Sequence, residues 1–250
     1  ALPISLRLLL NSQRTVSVVQ NSDDRATLIA IGINPETVNL ILGSGIDIDT
    51  TAPLDEPSGP VTVGITSRML DDKGIRPLVK AQSMLQARGL NIHLLLAGEP
   101  DPTNRSTLSE AEMKSFAAMP GIEWLGHIDD VRTVWERAHI AALPSRREGL
   151  PKSLLEAAAF GRPIIATDVP GCREVARAGE NALLVPVDDA NALASAIETL
   201  AKNPELRRNL GSNGRRSVEA IFSSAVIGAQ IVEIYARLAP TPLEARQISH

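Results

Sequence analysis

A chain of 250 residues with a formal net charge of -4 and 2% aromatic residues is long enough for one or two domains, each with a sizeable core. It has neither the positive charge nor the stacking side chains that nucleic-acid binding uses, so nucleic acid is not an expected partner. Cys172 is the only cysteine, which excludes a disulfide framework or a thiolate zinc cluster and fits a reducing, cytoplasmic setting.

The chain opens without Met on a helix-compatible pattern, Leu2, Leu6 and Leu9, whose apolar face has no evident partner nearby. The apolar stretch 4–10 is interrupted by Ser5 and Arg7 and is too short to span a bilayer or to act as a signal peptide. Residues 1–50 therefore read as the last elements of an upstream domain plus a connector. Gly43-Ser44-Gly45 mimics the start of a dinucleotide fingerprint, but no third glycine or helix follows, which predicts a turn. From residue 61 onward, short β-rich runs alternate with helical patterns. Strands are predicted over 61–66, 91–97, 122–125, 140–143, 163–167 and 182–187. Helices are predicted from Gly74 and over 108–119, 131–138, 151–160 and 173–178, then from Ala190 and from Pro204. The alternation predicts a doubly wound, Rossmann-like parallel sheet over residues 51–222, covered on both faces. A terminal helix over 224–238, within the segment 223–250, falls outside it.

Such sheets bind ligands beyond the carboxyl ends of their strands. The informative polar residues fall there: Arg68, Asp71, Asp72, Lys73 and Gly74 after the first strand, Gly98 and Glu99 after the second, Gly126 and His127 after the third. Ser145 to Glu148 follow the fourth strand and Asp168 to Gly171 the fifth. Glu148 and Glu156 bracket a helix start, with Pro151 suited to its first position. Glu156 then lies roughly 7 to 8 Å along the axis from Pro151, and Glu148 projects beyond the opposite end. A nucleoside diphosphate-sugar fits this edge. The N–H groups of Lys152, Ser153 and Leu154 and the helix dipole can hold phosphate oxygens, and Arg68 and Lys73 add full charges. Cations already in place stabilise the charge that develops on a leaving diphosphate, and this logic requires no metal or other cofactor. Glu156 can accept from ribose hydroxyls. Glu148 is placed for the sugar, with Gly149 letting the backbone come close.

Each assignment has a plainer competitor. Two glutamates eight apart are usually solvated helix charges, and Arg68 and Lys73 can form surface salt bridges to Asp71 or Asp72. Residues 168–174 read as a turn and helix entry. His93 and His139 read as packed or surface residues without metal spacing, and Cys172 as inert. Arg207, Arg208, Arg215 and Arg216 read first as a solvated face, with contact to anionic lipid as the lesser reading.

The motifs TSRMLDDKG, WLGHIDDV, LPSRREGLPKSLLEAAAFGRP with its E-x7-E spacing, TDVPGCRE and GENALLVPVDDANALASAI together resemble the C-terminal, donor-binding half of retaining GT-B glycosyltransferases of family 4. The resemblance runs from about residue 60 to 222. VVQNSDDR and LILGSGIDI further resemble the closing elements of that family's N-terminal domain, and the final helix the one that returns to it. The resemblance implies transfer of a sugar from a nucleotide diphosphate-sugar, UDP-sugar favoured, with retained anomeric configuration. Arg68 and Lys73 would contact the diphosphate, Glu148 the sugar, and Glu156 the ribose. Gly149, Leu150, Lys152, Ser153 and Leu154 would line the donor, with backbone at His127 and Ile128 holding the base. The acceptor would be a saccharide, free or polyprenyl-linked, in bacterial envelope polysaccharide synthesis, and the longer protein would sit in the cytoplasm or peripherally on the inner membrane face. The acceptor domain is absent from the sequence, so this chain alone is expected to bind donor weakly and transfer little. A nucleotide-sugar 2-epimerase and a non-catalytic nucleotide-sugar-binding module are the alternatives.

Overall fold

Apolar runs and helical patterns condense into alternating elements, and the computed structural model describes them over residues 2–12 and 15–238. The first unit contains α1 (Leu2–Leu10), β1 (Ser17–Val19), α2 (Ser22–Ala30) and β2 (Val38–Leu40). The larger unit begins with β3 (Thr62–Thr66), α3 (Ile75–Ala87), β4 (His93–Ala97), α4 (Glu110–Ala117), β5 (Ile122–Gly126) and α5 (Arg132–Trp135). It continues with β6 (Ile140–Leu143), α6 (Lys152–Ala159), β7 (Ile164–Thr167), α7 (Pro170–Val175) and β8 (Ala182–Val185). Helices α8 (Ala190–Lys202) and α9 (Pro204–Ser217), a π-helical turn at Val218–Phe222, and α10 (Ser224–Leu238) close the described chain.

Six strands pair in parallel in the order β5-β4-β3-β6-β7-β8, the Rossmann-like α/β architecture the sequence predicts. Every residue of β6 and β7 is buried, because helices cover both faces of the sheet. The strand order reverses at β3, whose neighbours are β4 and β6, so the crevice at the carboxyl ends of β3 and β6 is the topological switch point. The first unit is a two-stranded parallel sheet, β1 beside β2, with Ile41 packed on Ile227 and Ile234 of α10. The chain crosses between the two units at Ile46 and Ser223. There the Ile46 N–H donates to the Phe222 carbonyl at 2.8 Å and the Ser224 N–H to the Ile46 carbonyl at 2.9 Å. Gly43 to Gly45 form the expected turn after β2, with no helix behind it. Of the terminal segment, residues 239–250 lie outside the described residues.

Several boundaries differ from the sequence reading. Helix α4 starts at Glu110 because Ser109 caps it, accepting from the Glu112 N–H, while the Leu108 N–H donates to the Met69 carbonyl in another loop. Helix α5 is one turn, far shorter than 131–138. Helix α7 begins three residues earlier than predicted because Pro170, with its fixed φ, starts it. Strand β8 stops at Val185, ahead of Pro186, which cannot donate to a ladder.

The C-terminal arginines also depart from expectation. Arg208 and Arg216 are exposed, but Arg207 is buried and Arg215 largely so. The extended connector 47–57 lies across them. Arg207 pairs with Glu56 and donates to the Leu200 and Ala201 carbonyls. Arg215 donates to the Thr51, Ala159 and Ile48 carbonyls, and Arg162, also buried, to the Leu54 and Asp55 carbonyls. Three guanidinium forks, together with the Leu54 N–H that donates to the Phe160 carbonyl at 3.1 Å, thus fasten the connector to the amino-terminal side of the sheet, where bare carbonyls would be costly.

Candidate functional site

Strand β3 ends at the switch point, and the loop behind it carries Arg68 and Lys73. The Lys73 ammonium contacts Glu148 Oε1 at 2.6 Å, bridging the loops after β3 and β6. The Glu148 side chain is only 9% exposed, so the pair is largely shielded from solvent. Arg68 is exposed and pairs with Asp101 of the loop after β4 at 2.6 Å. Neither cation therefore takes Asp71 or Asp72 as its ion-pair partner, as the plainer reading had it. Asp71 instead binds Arg146 at 2.6 Å and Arg76, and the Arg146 guanidinium holds its carboxyl below the ordinary aspartate range.

The two loops are stitched further by backbone. The Arg146 N–H and the Ser145 hydroxyl both donate to the Asp72 carbonyl, at 2.8 and 3.0 Å, and the Thr167 hydroxyl donates to the Ser145 carbonyl. Arg146 also holds Asp188 beyond β8 at 2.9 Å. Close backbone approach sets the rest of the frame. Gly98 adopts φ +133°, and a Cβ there would lie 1.9 Å from the Ser67 carbonyl oxygen. At Gly171 a Cβ would lie 2.5 Å from the carbonyl oxygens of both Glu148 and Gly149, so α7 supports that loop from below. Gly149 itself is not crowded: a Cβ there would meet only Gln20 Oε1 at 3.5 Å.

Helix α6 begins one residue later than predicted, with Pro151 in extended conformation (ψ 105°) at the cap position instead of the first helical position. Proline provides no side-chain acceptor, and the Lys152 and Ser153 N–H groups engage no acceptor among the described residues. The Leu154 N–H, expected to be free, donates to the Pro151 carbonyl at 3.1 Å, and its side chain is in the core. Two donors at this helix end are thus open, not three. Glu156 lies one turn inward, 16% exposed, with Lys152 Nζ at 3.3 Å. Burial pushes its carboxyl above the ordinary glutamate range, against the lowering effect of Lys152.

A cleft of about 460 Å³ opens along the carboxyl edge of β3, β4 and β5. Arg68, His127, Ile128, Ser153 and Glu156 all line it. The main-chain groups of His127 and Ile128 make no hydrogen bond among the described residues. Lys73, Glu148, Gly149, Leu150, Lys152 and Leu154 do not line this cleft. The structure thus divides the predicted residues between the cleft and the shielded ion pair at the switch point. Sequence reasoning missed Asp101, the partner of Arg68, and Trp124, whose indole N–H donates to the Gly98 carbonyl at 2.8 Å and braces the loop after β4. It also missed Thr66, which lines the cleft and whose buried hydroxyl has no partner among the described residues. Thr66 opens TSRMLDDKG and Trp124 opens WLGHIDDV, but nothing in either motif singles them out, and Asp101 lies in no motif; the fold brings the three together. Among the described residues no cluster of three or more His, Cys, Asp or Glu could hold a metal ion.

The frame of this edge matches one family. Residues 60–203 match the family described as glycosyl transferases group 1. The chain belongs to that family. Among its relatives, the capsular polysaccharide biosynthesis glycosyltransferase CapM of Staphylococcus aureus is 30% identical over 173 residues, 69% of this chain and 45% of CapM. The MMP α-(1→4)-mannosyltransferase of Mycolicibacterium hassiacum is 27% identical over 224 residues, 88% of this chain and 53% of the relative. This group 1 glycosyltransferase chain thus spans about half the length of the curated relatives it matches. Its fold is that of the GT-B glycosyltransferases. The structure of Anabaena HepE in complex with UDP and glucose superposes with a TM-score of 0.79 at 20% identity, covering 94% of this chain and 67% of HepE. Sucrose-phosphate synthase from Thermosynechococcus elongatus superposes with a TM-score of 0.81 at 27% identity, covering 94% of this chain and 61% of that one.

Proposed function

We propose that this chain is the donor-binding part of a retaining glycosyltransferase that moves a sugar from a nucleotide diphosphate-sugar to a saccharide or lipid-linked saccharide acceptor in envelope polysaccharide synthesis. The observation that carries the reading is the cleft in which Arg68, the open Ser153 N–H, Glu156 and the unpaired main chain of His127 and Ile128 converge, beside the Lys73–Glu148 pair. The family membership and the likeness of fold to a structure holding UDP and glucose support it.

In this reading the base meets the main chain of His127 and Ile128, and Glu156 accepts from the ribose hydroxyls. The diphosphate lies between Arg68 and the N–H groups of Lys152 and Ser153 at the positive end of α6. Lys73 keeps one of its three donors on Glu148 and turns the others to phosphate oxygen. The second carboxylate oxygen of Glu148 is then available to a sugar hydroxyl, with Gly149 and Leu150 beside it. The bond between the sugar anomeric carbon and the phosphate oxygen breaks, and the electron pair leaves with the diphosphate. Arg68, Lys73 and the helix end stabilise that charge more strongly than they stabilise the intact donor, which lowers the barrier. The acceptor oxygen bonds to the anomeric carbon on the face the phosphate vacates, and its proton passes to a donor phosphate oxygen. No step is assigned to a metal.

Titration of the chain with UDP, GDP and ADP and with their glucose or mannose esters, followed by calorimetry, tests the binding half of this reading. Saturable binding of one nucleotide series supports it. A folded chain that binds none of them refutes it.

A further inference from the structure

Asn21 is 1% exposed although it belongs to the first unit and contacts a loop of the second. Its carboxamide oxygen caps α2, accepting from the Asp24 N–H at 2.7 Å, and its Nδ2 donates both to the Gly149 carbonyl at 3.0 Å and to the Asp24 carboxylate at 2.8 Å. Two neighbours reinforce the join. The Ser22 N–H donates to the Glu174 carboxylate at 2.6 Å, and Asp23 pairs with Arg173 at 3.1 Å. The first turn of α2 therefore holds both the loop that bears Glu148 and the helix, α7, on which that loop rests through Gly171.

The geometry points to Asn21 as a positioning residue that fixes the Glu148–Gly149 backbone at the sugar end of the site, so that recognition of the donor sugar depends on the first unit. The inference rests on the reading of Glu148 as the sugar-facing group. A carbonyl already held by Asn21 cannot swing toward the ligand, and with Gly171 closing the other side the Glu148 backbone has one place to sit. Asn21 is 128 residues from Gly149 in the chain, and neither the E-x7-E motif nor its neighbours encode the contact.

The two jobs of Asn21 can be separated. Asn21→Ser and Asn21→Thr each keep a neutral capping oxygen for α2, and each removes the amide donor to Gly149 and to Asp24. Affinities are measured by calorimetry for the nucleoside diphosphate that the wild-type chain binds best, among UDP, GDP and ADP, and for its sugar ester, with Tm recorded alongside. Both variants are expected to keep the wild-type Tm and diphosphate affinity, and to lose about three- to tenfold in affinity for the sugar ester, the worth of one hydrogen bond. Unchanged affinity for the ester overturns the inference. So does a parallel loss of Tm and of both affinities, which would make Asn21 structural only. If the wild-type chain binds none of the nucleotides, the proposed function fails first, and that outcome is distinct from the other two.

Discussion

Glu156 and Glu148 lie on the two sides of the start of α6 and are treated differently by their surroundings. Glu156 is desolvated inside the helix with only Lys152 to offset the burial, whereas Glu148 is locked to Lys73 at 2.6 Å. Glu156→Ala is expected to weaken nucleotide binding by about 1 to 3 kcal/mol if its bonds to ribose are buried, as calorimetry would read it. Its raised pKa also sets a pH dependence. A carboxyl whose folded pKa exceeds its unfolded one favours the protonated folded state, so its contribution to stability is fullest below the unfolded value and declines as pH rises through the folded one. Donor binding runs the other way. The ionised form accepts hydroxyl hydrogen bonds, so affinity for a nucleotide-sugar is expected to fall as pH drops through the raised pKa, and Glu156→Gln should flatten that profile. Cys172, wholly buried beside Glu148, has its thiol pushed up to about 12 by burial and then by that carboxylate. It is expected to react with a thiol reagent only when the chain unfolds.

At the scale of elements, α6 and the connector show what the sequence discloses and what it conceals. The site helix announces itself by a proline, an apolar run and flanking acids, and the sheet by its alternation of β-rich and helical segments. Those signals are local, and they place Arg68, His127, Ser153 and Glu156 on one edge, whereas Ile128 enters only through the family resemblance. The start of α6 was off by one residue because the fixed φ of proline suits both the cap and the first helical position, and ψ, which the sequence does not set, decides between them. Contacts made across the chain were not legible at all. Arg207 and Arg215 look like a charged helix face, yet the connector 47–57 covers them, and only its path in the fold says so. Arg207→Ala would leave the Glu56 carboxylate and the Ala201 carbonyl without a donor, while the Leu200 carbonyl keeps the Asn203 N–H. It is expected to cost about 3 to 5 kcal/mol, measured by denaturant unfolding. The same end of the sheet holds His139, whose Nδ1 accepts from the Thr62 N–H at 3.1 Å and whose pKa burial depresses. Its stabilisation is present above the unfolded pKa of about 6.5 and is lost as pH falls toward the depressed folded value. His139→Gln should remove that acid-side dependence.

For the whole molecule, two units meet at a sheet edge whose loops come from opposite sides of the switch point. The larger unit brings the cleft and the Lys73–Glu148 pair. The first brings α2, the cap of which reaches Gly149. Among the described residues no helix is long and apolar enough to cross a membrane. The most direct test of the donor-site reading is paired calorimetry of wild type and Glu156→Ala with the best-bound nucleotide-sugar. Saturable binding by the wild type, weakened about fivefold or more in the variant with both chains equally folded, is expected. Equal affinity in the two chains, or no binding by a folded wild type, would contradict it.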